Sequence, residues 1–578
     1  MRKMVPVAVL LIGLASICPA RAIMDPWYKD VYWLWDSNKE TAFKAISRND
    51  YPTFYRMIRK GVDVNAVNAR GHSLLCCAIA EERWEMFLLL LKNGADTKKY
   101  KYDPKFDNDS ELYWAAFRGR LDMCSMLLKS GADSNMACRG KTALIAAVER
   151  GDYAMTEMLL KAGADPNYGS GWGPALHVAS RGYGTEIIKL LLKYGAKVNT
   201  LHEGRSALAE AVDRDRDFQF NSITKAEILL AAGADVNLYK ESFFRNNFPL
   251  HLAVLSGNTE LAAMLIAHGA NVNEKIVIPS ALSAHLQPPK KRFDMASGQA
   301  VKKKQKETVS SPLSAAIKTG YRPMVELLLK HGAKTTAKQL DEIKKIKVPG
   351  KPETLDLFKI LYGQYACKHS RYELVKRIIA TGANANTLNE SHQSLLEKVA
   401  SGRGSIDLLK LLLQHDAKYK SYALKDAVDS GSIDKVNLLL KHGAEPNIVS
   451  KLALSAPTAV FYLNKNATII LPLLLKAGAD LNQKNYRRQN LLAVNCYAHR
   501  DTLVYKSLIK AGADWRNLDK YGQSIAESII SADYTGRCTG EIKVLLDQGT
   551  DRKKIRELAK KYDRENLLFL LNHIWEKK

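Results

Sequence analysis

Along most of the chain an apolar run, often closed by a lysine, breaks off after one variable residue into the same polar phrase, Gly-Ala-Asp-x-Asn or a near relative. Clear copies start at Gly94, Gly131, Gly163, Gly195, Gly233, Gly269, Gly332, Gly382, Gly443, Gly478 and Gly512, with worn copies at Gly61, Asp416 and Gly549, giving about fourteen units. Intervals such as 131 to 163 and 163 to 195 are both 32 residues. A run such as Leu190 to Lys193 reads as the end of a helix, and the glycine after it, Gly195, can take the left-handed conformation that a helix C-terminus needs. The residues that follow, such as Asp165-Pro166-Asn167 and then Gly171 to Gly173, are turn formers that send the chain out as a hairpin loop. A shorter helix then starts.

That helix carries a second recurring phrase: Pro249-Leu250-His251-Leu252-Ala253, Leu176-His177-Val178-Ala179 and Ser311-Pro312-Leu313-Ser314-Ala315-Ala316. Its alanines allow close helix approach, and the leucine rows form a core shared only between neighbouring units, so one unit alone cannot fold. The two phrases in fixed order resemble those of ankyrin repeats over roughly residues 38 to 550. The resemblance implies an all-α repeat solenoid of helix-turn-helix units with hairpin loops, stacked into a stiff curve whose hairpin tips and first helices line a concave surface for a protein partner. The pattern departs at Asp416, where glycine is replaced and the next interval, 443 minus 416, is 27 residues, too short for a full hairpin.

Outside the repeats the chain divides further. Residues 1–22 read as a cleaved signal peptide, with Arg2 and Lys3 before an apolar run and Ala20-Arg21-Ala22 as the cleavage site. Residues 23–40 are an aromatic cap holding Trp27, Tyr28, Tyr32, Trp33 and Trp35. The first array spans 41–278 and the second 312–550, the latter irregular at 334–366 and 416–443. Residues 551–578 read as a capping helix with a polar outer face. Between the arrays, 279–311 forms a flexible basic insert with Lys290, Lys291, Arg292, Lys302, Lys303, Lys304 and Lys306, two clusters that resemble a bipartite nuclear-import signal.

Net charge is +26, and removing Arg2, Lys3 and Arg21 with the leader leaves 26 minus 3, or +23. Part of this has a local cause. Arg59, Lys92, Lys129, Lys161, Lys193, Lys330, Lys441, Lys476 and Lys510 each stand two residues before the motif glycine, where a cation in the last helical turn gains ~0.3–1 kcal/mol from the helix dipole. The rest favours an acidic protein partner, or an anionic surface, over sequence-specific nucleic acid, for which no recognised module is present.

Candidate chemistry is sparse. His177 and His251 occupy the family's helix-start position and are expected to be structural, and the seven cysteines left after cleavage form no disulfide framework: Cys76, Cys124 and Cys496 are expected as small buried hydrophobes, and a local Cys124–Cys138 bond stays open because sequence does not fix its geometry. No nucleophile elbow, P-loop or zinc-protease motif appears, so neither enzyme activity nor a metal or other cofactor is expected. Partner contacts are expected at the tips, through Arg139, Trp172, His202, Arg205, Tyr239, Phe243, Phe244, Arg245, Tyr486, Arg487, Arg488 and Tyr521. The resulting expectation is an exported, monomeric protein-binding scaffold, periplasmic before extracellular, without a transmembrane anchor, protecting or neutralising its partner as an immunity protein would. The alternative is a secreted effector of host proteins that uses the insert as a nuclear signal.

Overall fold

A computed structural model of the chain describes residues 38–97, 110–138, 140–169, 173–182, 184–213, 222–238, 248–274, 308–346, 393–401, 405–415, 417–447, 466–484, 502–533 and 539–575, with short pieces between them. Each unit is a helical hairpin. The first helix opens on a serine or threonine whose side-chain oxygen accepts an N–H from the first turn, as Ser73 does from Cys76 at 2.9 Å, and as Ser110, Thr142, Ser311 and Ser524 do in their own units. Alanine pairs such as Ala115-Ala116 and Ala146-Ala147 are buried between neighbouring first helices. In most second helices one leucine, among them Leu90, Leu127, Leu159, Leu191, Leu229 and Leu265, is fully buried.

The polar phrase has a separate reason for each of its residues. Gly163 has φ +87° and open space where a Cβ would stand, so backbone conformation, and not crowding, demands glycine there. Asp165 closes the turn by accepting the N–H of Asn167 at 2.8 Å. Asn135 bridges to the next unit: its Nδ2 donates to the Gly163 carbonyl at 3.1 Å and its Oδ1 accepts from Asp165 N–H at 2.6 Å. The same bridge recurs at Asn167, Asn199, Asn237, Asn447 and Asn482.

This ladder continues past the basic insert, where Asn273 donates to the Gly332 carbonyl at 3.1 Å and accepts from Lys334 N–H at 2.7 Å. The short strands Ile276–Ile278 and Thr308–Ser310 pair antiparallel at the root of the insert. The repeat ladder therefore continues across the insert, whose two ends leave from one strand pair.

At Thr336 the ladder residue is no longer asparagine. Its hydroxyl instead caps the helix Ala337–Lys344, which has no fully buried residue. Here the stack turns, and the second half runs back against the first. Second helices pair in reverse order: Tyr51–Arg59 meets Glu565–Phe569, Trp84–Lys92 meets Thr539–Asp547, and Leu121–Lys129 meets Thr502–Lys510. Continuing inward, Tyr153–Lys161 meets Ala467–Lys476, Thr185–Lys193 meets Ile433–Lys441, and Ser222–Ala231 meets Ile406–Gln414. A contact between Lys376 and Glu260 adds a seventh rung beside the turn. The repeat solenoid is thus folded into two arms packed back to back.

The arms meet at the N-terminal turns of their second helices. Asn466 is the hub of one rung: its Oδ1 accepts from Tyr153 N–H at 2.8 Å, and its Nδ2 donates to the carbonyls of Gly151 at 3.2 Å and Gly431 at 2.7 Å. At the far end Asn566 accepts from Tyr51 N–H at 3.1 Å and donates to the Asn49 carbonyl at 2.5 Å, while the Phe569 ring lies 5.8 Å from Tyr51 and 5.5 Å from Tyr55. The first repeat is clasped to the last.

Two segments differ from the sequence reading. Residues 416–443, read as too short for a full hairpin, include complete helices Lys420–Asp429 and Ile433–Lys441. The missing length is a hairpin tip: Tyr419, at φ +64°, starts the helix directly, and Ser421 Oγ takes over the ladder role by accepting Glu445 N–H at 2.8 Å. Residues 551–578, read as one capping helix, contain two, Arg552–Lys561 and Glu565–Phe569, with a π-helical turn at Leu570–Ile574. The chain reverses at Asp563, φ +52°, and the second of these helices packs on the first repeat instead of facing solvent.

Candidate protein-binding surface

With the second helices turned inward, the first helices and hairpin tips face away from the seam. Of the residues expected at tips, Arg139, Trp172, Tyr239, Phe243, Phe244, Arg245, Tyr486 and Arg487 lie outside the described residues, as do the insert lysines and Arg292. Tyr521 is 72 % exposed. Arg488 is exposed at φ +56°, and its carbonyl accepts from Asn517 Nδ2 at 3.0 Å.

Arg205 and His202 sit differently from expectation. Arg205 is only 2 % exposed; it pairs with Glu210 at 3.4 Å and Asp213 at 2.8 Å and donates to the Ala209 carbonyl. Two acids in the helix that follows draw the guanidinium inward, so it braces the unit and offers nothing to a partner. His202 is half-buried, packed over Gly173 and edge-on to the His177 ring at 6.1 Å.

Around Tyr521 the tip is aromatic and cationic. The Arg516 guanidinium lies 4.3 Å from the Trp515 ring centroid, and Lys520 Nζ lies 4.8 Å from that of Tyr521, distances suited to cation–π attraction. Leu518 between them is half-exposed. Asp514 and Asp519 hold the loop by accepting the N–H groups of Arg516, Tyr521 and Gln523. The carboxylates thus serve the backbone, while the cations lie over the rings.

A second patch escaped the sequence reading. On the first helix Glu111–Arg118, Tyr113, Trp114 and Phe117 pack on one another with centroids 5.7–6.0 Å apart, and Phe117 is 40 % exposed. The Arg150 Nη1 donates to the Phe117 carbonyl at 2.8 Å, and its guanidinium fills the space beside Gly119. The signal was present as large aromatics at positions 114 and 117, where other units carry Ala146 and Glu149.

More of the positive charge is structural than the sequence suggested. All nine cations placed before the motif glycines stand in the last turn of a helix. Four others reach across units to carbonyls at the end of a first helix: Arg83 to Ile46, Lys225 to Ser180, Lys435 to Ala400 and Arg564 to Ile530, at 2.9–3.2 Å.

His177 and His251 are fully buried. His177 Nε2 bonds with the Arg205 carbonyl at 3.1 Å, and burial pushes its pKa down to about 4, so the ring is neutral. Cys76, Cys77, Cys124 and Cys138 are all buried, and no disulfide joins Cys124 to Cys138. Among the described residues no cluster of His, Cys, Asp or Glu has the arrangement of a metal site, and no helix is long and apolar enough to cross a membrane.

A family model described as ankyrin repeats (3 copies) matches residues 98–170 and 364–450, and the single ankyrin-repeat model matches 174–202 and 245–276. The mouse (Mus musculus) B-cell lymphoma 3 protein homolog is 33 % identical over 93 residues, which is 16 % of this chain and 20 % of that protein's length. Among solved structures, the human ASB11 ankyrin repeat domain is similar over 40 % of this chain and 98 % of its own, at 21 % identity and a TM-score of 0.33.

Proposed function

From a chain with ankyrin repeats in both arms, we propose that the protein is an exported, non-enzymatic scaffold that holds one specific partner protein and protects or neutralises it. The observation that carries this reading is the direction of the arms. Pairing through second helices leaves tips and first helices outward, where Tyr521, Leu518 and Arg516 are exposed beside the partly buried Trp515 as an aromatic-cationic edge. Tyrosine, tryptophan and arginine are the side chains that most often anchor interfaces. The stacked cations favour a partner with an acidic surface. A signal-like leader at residues 1–22 supports a site of action outside the cytoplasm.

The test is affinity capture with the mature chain from its native envelope fraction, beside a Tyr521→Ala/Arg516→Glu variant and a copy lacking residues 288–306. A single protein that rebinds stoichiometrically when purified, and is lost with the tip variant, supports the scaffold and its face. Loss only with the deletion moves the contact to the insert. Absence of any partner, with the protein found in the medium, supports the effector alternative and removes this reading.

A further inference from the structure

The seam between the arms is lined with carboxyl groups. Asp407 is 4 % exposed; its Oδ1 accepts from Thr224 Oγ1 at 2.5 Å, and its Oδ2 is buried with no hydrogen-bond partner. Around it, Lys410 donates to the same Thr224 hydroxyl at 2.8 Å and lies 3.9 Å from Glu227, while neighbouring Lys225 is turned away to the Ser180 and Gly182 carbonyls. One rung along, Asp434 accepts from Thr185 through both its N–H and its hydroxyl, and faces Glu186 across the seam. Lys189 pairs with Glu186, and Lys435 is spent on carbonyls of the preceding helix. Near the open end Glu85 meets Thr539, with Lys543 and Tyr51 close by, beside a cavity with room for about one water.

Burial raises the Asp407 carboxyl to about 6 against the pull of Thr224 and Lys410, and that of Glu85 to about 7 against Thr539 and Lys543. Burial and the facing Glu186 carboxyl raise Asp434 as well. Enclosed carboxyls are tolerated when protonated and are costly when ionised without full compensation. The neighbouring units within each arm, by contrast, are packed through apolar side chains such as Ala146, Leu159, Leu408 and Leu439. Parts of a chain joined by an interface that is not large and hydrophobic can move relative to one another.

We propose that the seam is a proton-operated clasp: with Glu85, Asp407 and Asp434 protonated the arms stay side by side, and as these groups ionise the arms part while each stack remains folded. The raised acids stabilise the closed state fully below their ordinary range near pH 4, and this contribution is lost as pH rises through about 6 to 7.

Small-angle X-ray scattering of the mature chain, followed with circular dichroism between about pH 5.5 and about pH 8.5, reads this directly. Because two side-by-side stacks of units ~10 Å apart become one longer particle, the radius of gyration is expected to rise reversibly by about a fifth or more at unchanged helicity. The Glu85→Gln/Asp407→Asn/Asp434→Asn variant, which mimics the protonated state, should stay compact at both ends of the range, and Asp407→Asn alone should shift the midpoint upward. A constant radius in the unaltered chain, swelling of the triple variant equal to it, or loss of helicity in step with the swelling overturns the clasp.

Discussion

Replacing Asn466 by alanine removes the three hydrogen bonds that tie the middle rung together. Two of them cross between arms, to Tyr153 N–H and the Gly151 carbonyl, and one joins the preceding unit at Gly431. Asn466 is 5 % exposed, so water does not readily replace the amide. Counting about 1 kcal/mol for each bond, with a further cost for buried groups left unpaired, the loss is about 3 kcal/mol. The amide of Tyr153 stands in the first turn of its helix, where no intrahelical carbonyl is available to it. Hydrogen exchange followed by mass spectrometry should therefore show protection falling at residues 151–155 as well as at 431–433, with a comparable Asn482→Ala variant at an exposed ladder position leaving 151–155 unchanged. Protection retained at 151–155 in Asn466→Ala would refute the back-to-back arrangement at this rung, since those amides are more than 300 residues away in sequence.

Arg205→Ala should destabilise the chain by about 1–3 kcal/mol, read by chemical denaturation, because the buried Glu210 would keep only Arg181 and the Ala209 carbonyl would lose its donor. Tyr521→Ala should change stability by less than about 0.5 kcal/mol while weakening partner capture, since its ring is exposed and carries no core contact. His177→Gln should lessen the loss of stability on acidification: the neutral buried ring has its pKa lowered to about 4, so its contribution is present above the ordinary 6.5 and is lost as pH falls from there towards 4, and a denaturation series over that window measures it.

The repeats were legible because their signals are local or nearest-neighbour. The glycine answers a backbone angle, the aspartate a turn two residues on, and the asparagine the next unit about 30 residues away, so each recurs with the period. The seam was not legible. Its contacts join positions as far apart as Asn49 and Asn566, through single side chains at helix starts that have no periodic pattern. Nor does the loss of the ladder asparagine at Thr336 mark the turn, since Lys98 and Arg516 replace it equally in units where the stack continues. Tip residues were readable only as exposed turn positions. Tyr521 met that expectation, while Arg205 did not, because the inward pull of Glu210 and Asp213 depends on helix packing that composition does not display.

Clasping the first repeat to the last also restricts how such a chain can change length. In an open solenoid a unit can be duplicated or deleted anywhere, with the ends simply moving apart or together. Here Asn566 must still reach Asn49 and Tyr51, and Asn466 must still reach Tyr153. An extra unit in one limb would put every later tooth of the zip out of step with its counterpart. Viable relatives of this design would accordingly gain or lose units as matched couples, one from each limb, or would place any surplus at the bend.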